Sequence, residues 1–406
     1  MKVCFETFGC RLNKAEALQM EADYLARGWE VTERHSDADL IVVRGCSVTA
    51  RAQHDCEKTI DHLKRHYPLV PIHVCGCLKQ KDESESPSPV QKPAQPAAPG
   101  PHDALPVRTA RAYLKVQDGC NGKCTFCIVP KFRGSSSSTP FAEVMDRARR
   151  FIDAGYREIV VTGCNLSLYA SEGKRLPDLV AALASLTPSV QEGGTRIRLG
   201  SVEPGACALE CAAAMSEGVN VCRFLHIPVQ SGSNRILRAM RRPYLVRDVD
   251  ALVQTARKLM PDISLGCDMM TGFPDELDLD FTATKGLVAR HHFSMVHIFP
   301  FSERPGTLAA SYGGTIPPDI RMERAHELRE VAADCRYAYA RKFFGKVVEI
   351  VVESETKCVG RTSEYLPCTA KGTAPRKSVA PVFVTKVHHD GSLEGIIRPA
   401  ASRLAT

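Results

Sequence analysis

A chain of 406 residues is too long for one small core, and 44 % hydrophobic with 24 % charged residues excludes a fibrous or disordered chain. The net charge of +7 fits a polyanionic partner without requiring one. No apolar run reaches the ~20 residues that span a bilayer, and Glu6, Gly9 and Arg11 interrupt the stretch a secretory signal would need. The expectation is a cytoplasmic protein with no membrane partner. Seventeen cysteines are many for a reducing compartment, and their odd number favours metal or cluster ligation over a disulfide framework.

In chain order, residues 1–80 alternate strand and helix. KVCFETF reads as a strand, NKAEALQMEADYLARG as a helix closing at Gly28, DLIVVRG as a second strand, VTARAQHDCEKTIDHLKRHY as a helix and PIHVCG as a third strand. This predicts a small parallel α/β sheet. Residues 81–107 are rich in Pro, Ala, Ser and charge and have no apolar period, which predicts a flexible linker. Residues 108–342 resume the alternation, with strands in AYLKVQD, REIVVTG, TRIRLGS, RFLHIPVQ, ISLGCDMM and FSMVHIF and a long charged helix at about 319–342. Six strand–helix units predict a partial parallel barrel. In residues 343–406 the runs GKVVEIVVES, CVGRTSEYLP, VAPVFVTKVHH and SLEGIIR predict a small β-barrel.

The sharpest chemical signal is Cys120, Cys124 and Cys127 in DGCNGKCTFCIVP. Three thiolates spaced C-x3-C-x2-C can share one metal centre, and cysteine is the usual ligand of iron–sulfur clusters. A [4Fe–4S] cube held by three cysteines leaves one iron open to a cofactor or substrate. A structural zinc site is the alternative, but zinc sites pair C-x2-C units with a fourth ligand, and none lies nearby. The motif follows the first barrel strand, at the end where barrel sites form. Phe126, between the last two cysteines, is a candidate cofactor contact, with local core as the alternative.

Cys10, Cys46 and Cys77 are far apart in sequence, yet each ends a predicted strand and each follows a glycine. Residues just past parallel strand ends converge on one crevice, so these three are candidates for a second cluster; chance buried cysteines are the alternative. Cys4, Cys56, Cys75, Cys207, Cys211, Cys222, Cys267, Cys335, Cys358 and Cys368 show no ligand spacing and read as small buried hydrophobes.

C-x3-C-x2-C at this place in a six-unit barrel resembles the radical S-adenosylmethionine (SAM) superfamily. GCRLNKAE, GCSVTARA and GCLKQ, with SVEP, VQSGSNRILRAMRRPY, CDMMTGFPDE and HIFPFSERPGTLAAS, resemble its methylthiotransferases over nearly the whole chain outside 81–107. The resemblance implies an N-terminal cluster domain (1–80), a radical SAM barrel (108–342) and a TRAM-like RNA-binding β domain (343–406). It implies two [4Fe–4S] clusters on the two cysteine triads, which are the metal and catalytic residues. It also implies two SAM molecules: one provides the methyl group, the other a 5′-deoxyadenosyl radical. Gly163, Asn165, Glu203, Gln230, Ser231 and Arg241 carry over as SAM-side contacts, each with a cap or salt bridge as its alternative, and Asp268 faces the pocket. Arg133 in KFRG is a candidate RNA contact.

GCRLN and HIFPFSERPGT are similar to the MtaB type, which modifies N6-threonylcarbamoyladenosine, rather than to the MiaB type, which modifies isopentenyladenosine. The implied partners are a tRNA anticodon stem-loop and a flavodoxin- or ferredoxin-like reductant protein, with the enzyme a monomer. The rival readings are a RimO-type enzyme acting on a ribosomal protein aspartate and a cluster-bearing RNA-binding protein without catalysis. Three departures from the family pattern stand out: the composition of 81–107, SSSST at 135–139 where arginines usually follow KFRG, and Cys164 inside the glycine–x–asparagine motif.

Overall fold

The computed structural model describes residues 1–78, 109–354 and 358–398. The expected linker at 81–107 lies outside the described residues. The N-terminal elements are β1 (Lys2–Thr7), α1 (Arg11–Ala26), β2 (Glu30–Thr32), β3 (Leu40–Gly45), α2 (Ala50–His66) and β4 (Ile72–Gly76). Their strands pair in parallel in the order β2-β1-β3-β4. All six residues of β3 are buried, as a central parallel strand covered on both faces requires. α1 stops where Gly28 takes φ +80°, a left-handed turn that glycine adopts without strain. β2 is absent from the sequence-based expectation. Three residues are too few to show a period, and the edge strand gets its place from Val31 packing with Val3, Val42 and Trp29.

The barrel strands are β5 (Ala112–Lys115), β6 (Glu158–Thr162), β7 (Arg196–Arg198), β8 (Phe224–Gln230), β9 (Ser264–Thr271) and β10 (Met295–Pro300). They form two parallel sheets, β7-β6-β5 and β8-β9-β10. Parallel bridges Ile197–Val221 and Ser201–His226 join the two. The result is the expected partial barrel, in chain order and open between β5 and β10. The crossover helices are α3 (Phe141–Asp153), α4 (Leu176–Ala184), α5 (Ala206–Glu217), α6 (Asn234–Ala239), α7 (Val246–Leu259) and α8 (Asp278–His291), and α9 (Pro318–Ala340) follows the last strand. α7 shows why such segments pack: Val249, Leu252, Val253 and Ala256 are buried at a helical period.

The last segment is a closed barrel of β11 (Val347–Ser354), β12 (Val359–Arg361), β13 (Pro367–Lys371), β14 (Val379–Val387) and β15 (Leu393–Ile397), ordered β11-β12-β13-β15-β14. CVGRTSEYLP is not one β run. β12 ends at Arg361, the chain turns through Tyr365 at φ +71°, and β13 follows. Along β11, Val348, Ile350 and Val352 enter the core at a period of two.

This barrel docks on the amino ends of the larger barrel's strands through buried charge. Glu158 binds Arg196 at 2.6 Å and Arg198 at 2.8 Å, and all three are buried. The guanidinium groups also donate to the carbonyls of Arg361 (2.6 Å), Thr362 (2.9 Å) and Ser363 (2.9 Å). Tyr365 stacks on Phe224 with ring centroids 4.9 Å apart.

By its internal contacts the chain divides into two units. One holds residues 1–108 with 128–134, and the other holds 109–127 with 135–406. Among the described residues no helix is long and apolar enough to cross a membrane. Eight of the ten cysteines expected in the core are buried, but Cys75 and Cys207 are only partly so. Cys75 sits in edge strand β4 and Cys207 in the first turn of α5, where packing covers one side only.

Candidate iron–sulfur sites

In the first unit, Cys10 caps α1, Cys46 follows β3 and Cys77 follows β4. The glycine before each cysteine is what lets the three loops approach. A Cβ on Gly9 (φ +88°) would fall 2.7 Å from the Cys46 sulfur, and one on Gly76 (φ +92°) would fall 2.7 Å from the Gly45 carbonyl. The Cys77 amide donates to that carbonyl at 3.1 Å. Burial pushes the Cys46 thiol up, a hydrogen bond from the Val48 backbone opposes this, and the neighbouring Cys10 and Cys77 thiols add to it. Cys46 is therefore within electrostatic reach of both Cys10 and Cys77.

Asn13 and Arg133 brace this triad. Buried Asn13 donates to the carbonyls of Phe8 (2.8 Å) and Gly45 (3.0 Å), one in each of two cysteine loops. Arg133, at the end of the short helix Val129–Arg133, donates to the Cys77 sulfur at 3.2 Å. Its other nitrogens reach Glu16 at 3.0 Å and Asn13 at 2.9 Å. Its side chain is 9 % exposed. The sequence-based expectation of an RNA contact is corrected on this point: the guanidinium is held inside the unit.

In the second unit, Cys120, Cys124 and Cys127 lie in the loop after β5. Thr125 pins this loop: its amide and hydroxyl donate to Met240 and Ala239 carbonyls at 3.1 Å each, and its carbonyl accepts from Ala309 at 2.8 Å. A Cβ on Gly122 would lie 3.1 Å from the Cys120 sulfur and 3.8 Å from the Cys124 sulfur, so both sulfurs border one point. The Cys127 amide donates to the Cys124 carbonyl at 3.2 Å. Burial pushes the Cys124 thiol up, and the adjacent Arg242 pulls it back.

Arg242 is the residue that the sequence reading missed. It donates to the Cys124 sulfur at 3.0 Å, binds Glu203 at 2.6 Å and donates to Tyr244 at 2.7 Å. Arg241, the arginine expected to meet SAM, is exposed, with φ +55°. MRRPY offers two adjacent arginines, and only the backbone conformation decides which one turns inward. Asn165 donates to Glu203 at 2.9 Å, which joins two expected contacts into one polar group beside Cys124. Gly163 makes room for Gln117, because a Cβ there would fall 2.8 Å from its Oε1. Buried Gln117 then accepts from the Asn165 amide at 2.9 Å and donates to Gly119 at 2.7 Å. Gln230 is half-buried at a bulge in β8, with φ +73°. Ser231 is fully buried and accepts from the Ser233 amide at 3.1 Å, a local turn just before α6, whose cap is Ser233. Phe126 is partly buried and packs on the cluster of Ile236, Met240, Phe273 and Phe301, its local-core alternative. Cys164 lies 3.4 Å from Asp118.

Among the described residues no disulfide joins any of the seventeen cysteines. Two sets of three thiols, each on glycine-permitted loops and each with an arginine on one sulfur, fit a [4Fe–4S] cube bound by three cysteines.

A six-strand partial barrel with C-x3-C-x2-C after its first strand defines a radical SAM fold. The radical SAM superfamily model matches residues 114–288, and a model described as uncharacterized protein family UPF0004 matches 2–92. The Bacillus subtilis threonylcarbamoyladenosine tRNA methylthiotransferase MtaB is 30 % identical over 91 % of this chain and 90 % of its own length. The tRNA-2-methylthio-N6-dimethylallyladenosine synthase of Methylacidiphilum infernorum is 31 % identical over 87 % and 85 %. Among solved structures, the radical SAM methyltransferase TsrM from Kitasatospora setae shares the fold at 13 % identity and a TM-score of 0.54, over 76 % of this chain and 75 % of that one. The chain belongs to the radical SAM methylthiotransferase family. It is an enzyme whose cofactors are [4Fe–4S] clusters and SAM.

Proposed function

We propose that the enzyme transfers a methylthio group to C2 of N6-threonylcarbamoyladenosine beside the anticodon of tRNA. The observation that carries this reading is the match along almost the full length of a threonylcarbamoyladenosine enzyme, with a second such relative, from Chlamydia pneumoniae, covered over 96 % of its length. GCRLNKAE and HIFPFSERPGT point the same way. The dimethylallyladenosine enzymes, at equal identity, support the MiaB type as the second reading. On this reading residues 1–80 are the cluster domain, 108–342 the radical SAM barrel and 343–406 the RNA-binding domain. The setting is the cytoplasm, where a reductant protein supplies electrons to a monomeric enzyme.

Cys10, Cys46 and Cys77 would hold one cluster and Cys120, Cys124 and Cys127 the other. When bound, these clusters and SAM supply hydrogen-atom abstraction, sulfur and a methyl group. The chain's own residues prepare that chemistry. Thr125 fixes the barrel cysteine loop. Arg242 sets a positive charge beside Cys124, and Glu203 and Asn165 hold it there; carboxylate, amide and guanidinium groups suit the amino, ribose and carboxylate groups of SAM. Asn13 and Arg133 brace the other triad.

The test is competition in one anaerobic assay with SAM, a reductant and sulfide. Stem-loops bearing threonylcarbamoyladenosine compete with stem-loops bearing isopentenyladenosine, and nucleosides are read by mass spectrometry. Preferred methylthiolation of the first loop is expected. Preference for the second would move the enzyme to the MiaB type. Activity on a ribosomal protein peptide alone would remove tRNA as the substrate.

A further inference from the structure

Inward-facing side chains of a (β/α) barrel ordinarily pack into its core. β10 breaks this rule. Of its six residues, His297 and Phe299 are the exposed ones, alternating with half-buried neighbours. Phe299 is 40 % exposed, and the His297 side chain 48 %. The alternation is that of one strand face. His297 pairs in register with Asp268 on β9, and its Nδ1 lies 3.2 Å from the Asp268 carboxylate. The preceding residue of β9, Cys267, points the other way: it is fully buried and within electrostatic reach of Cys335 on α9. Asp268, His297 and Phe299 therefore line the lumen.

A polar chain leads inward from them. His226 Nε2 is 3.5 Å from Asp268, and His226 Nδ1 is 2.9 Å from the Ser201 hydroxyl. Gly266 makes room for it, because a Cβ there would fall 2.9 Å from the His226 ring. Burying the His226 imidazole beside the Asp268 carboxylate costs free energy that a packed apolar lumen would not. With Nδ1 of His297 held by Asp268, Nε2 is the nitrogen left to meet a ligand. Phe299 sits beside it, with centroids 6.2 Å apart and rings near-perpendicular at 73°.

We propose that Phe299 and His297 form the binding site for the target base, a purine of a nucleotide swung out of the RNA. Phe299 provides a stacking face, and His297, oriented by Asp268 and His226, a hydrogen bond to the base edge. Enzymes that modify a base take it out of its stack, and exposed aromatic faces are how proteins hold bases from single-stranded loops. The occupant is the RNA base rather than the adenine of SAM. His226, Asp268 and His297 stand on the β8-β9-β10 sheet, whereas Asn165 and Glu203, which with Arg242 form the polar group beside Cys124 that serves the SAM side, follow strands of the other sheet. This inference rests on the proposed RNA-base substrate and adds the residues that hold it.

The experiment uses reconstituted full-length enzyme and whichever modified adenine stem-loop the wild type turns over. Phe299→Ala should raise KM for the loop on the order of 10- to 100-fold, the scale of one lost base stack. Phe299→Tyr, which keeps the stacking face, should restore it, and His297→Gln should raise KM while iron content stays at the wild-type level. SAM affinity and loop-independent release of 5′-deoxyadenosine should be unchanged in all three. Unchanged loop kinetics in Phe299→Ala and His297→Gln would overturn the site. So would weakened SAM binding, which would assign the aromatic face to SAM, or stoichiometric zinc lost in His297→Gln, which would make the histidines metal ligands. A wild type that turns over neither loop would sink the substrate reading itself, and this site with it.

Discussion

Arg133 and Arg242 each donate to one cysteine sulfur and are each held by a carboxylate, Glu16 and Glu203 respectively. Residues that orient ligands from behind commonly matter 10- to 100-fold in metal affinity. Arg133→Ala should therefore speed iron loss to a chelator from the Cys10–Cys46–Cys77 site by roughly that factor, with the barrel cluster unaffected. Arg133→Lys should recover little, because an ammonium cannot replace a planar fork that meets a sulfur, an amide and a carboxylate together. Iron release followed in a background lacking Cys120, Cys124 and Cys127 isolates the effect; wild-type kinetics there would show that the brace is dispensable. At this scale the sequence reveals ligands better than their supports. The barrel cysteines announce themselves by spacing, and the other three by ending strands after a glycine. Arg133 and Arg242 carry no such mark, since Arg133 reads as any surface basic residue and Arg242 is indistinguishable from Arg241 until the backbone turn is known.

At the scale of elements, the barrel strands are legible because most are apolar runs between turn signals that alternate with helical segments, whereas β2 and β13 are short strands placed by their neighbours. The turn after β6 shows how a loop can be fixed by what is absent. Gly163 lacks the Cβ that would strike Gln117, and Gln117 in turn holds Asn165 and the start of the cysteine loop. Gly163→Ala should force Gln117 out, at about 1–3 kcal/mol for an overpacked buried site. The larger consequence should be on the loop: the Cys120–Cys124–Cys127 site should reconstitute poorly while the N-terminal site fills as in the wild type. Iron and sulfide counts with thermal denaturation would measure both. A variant with full iron content and wild-type melting would show that the loop does not depend on this packing.

At the scale of the whole molecule, the five-strand barrel is joined to the radical SAM barrel through Glu158, and no pattern in TRIRLGS announces it. Alternating arginines in a strand ordinarily read as a solvated face, yet Arg196 and Arg198 are buried. Burial by itself would raise the Glu158 carboxyl, but Arg198, and then Arg196, hold it well below the usual carboxylate range. A group depressed in the folded state stabilises fully above its unfolded value of about 4.3, and that contribution fades only as pH falls toward the folded value. Glu158→Gln leaves two buried guanidinium groups without their anion. Breaking a buried ion pair from one side costs about 3–5 kcal/mol, so the variant should melt well below the wild type. The gap between the two proteins should stay constant from pH 8 to pH 5 and narrow below about pH 4, where the wild-type carboxyl begins to lose its advantage over the unfolded chain. Paired melting curves across that range test this. A gap that already closes between pH 7 and pH 5 would mean that a histidine, not Glu158, governs the junction. His226, the buried imidazole on the strand that begins with Phe224, the ring under Tyr365, would be the first to examine.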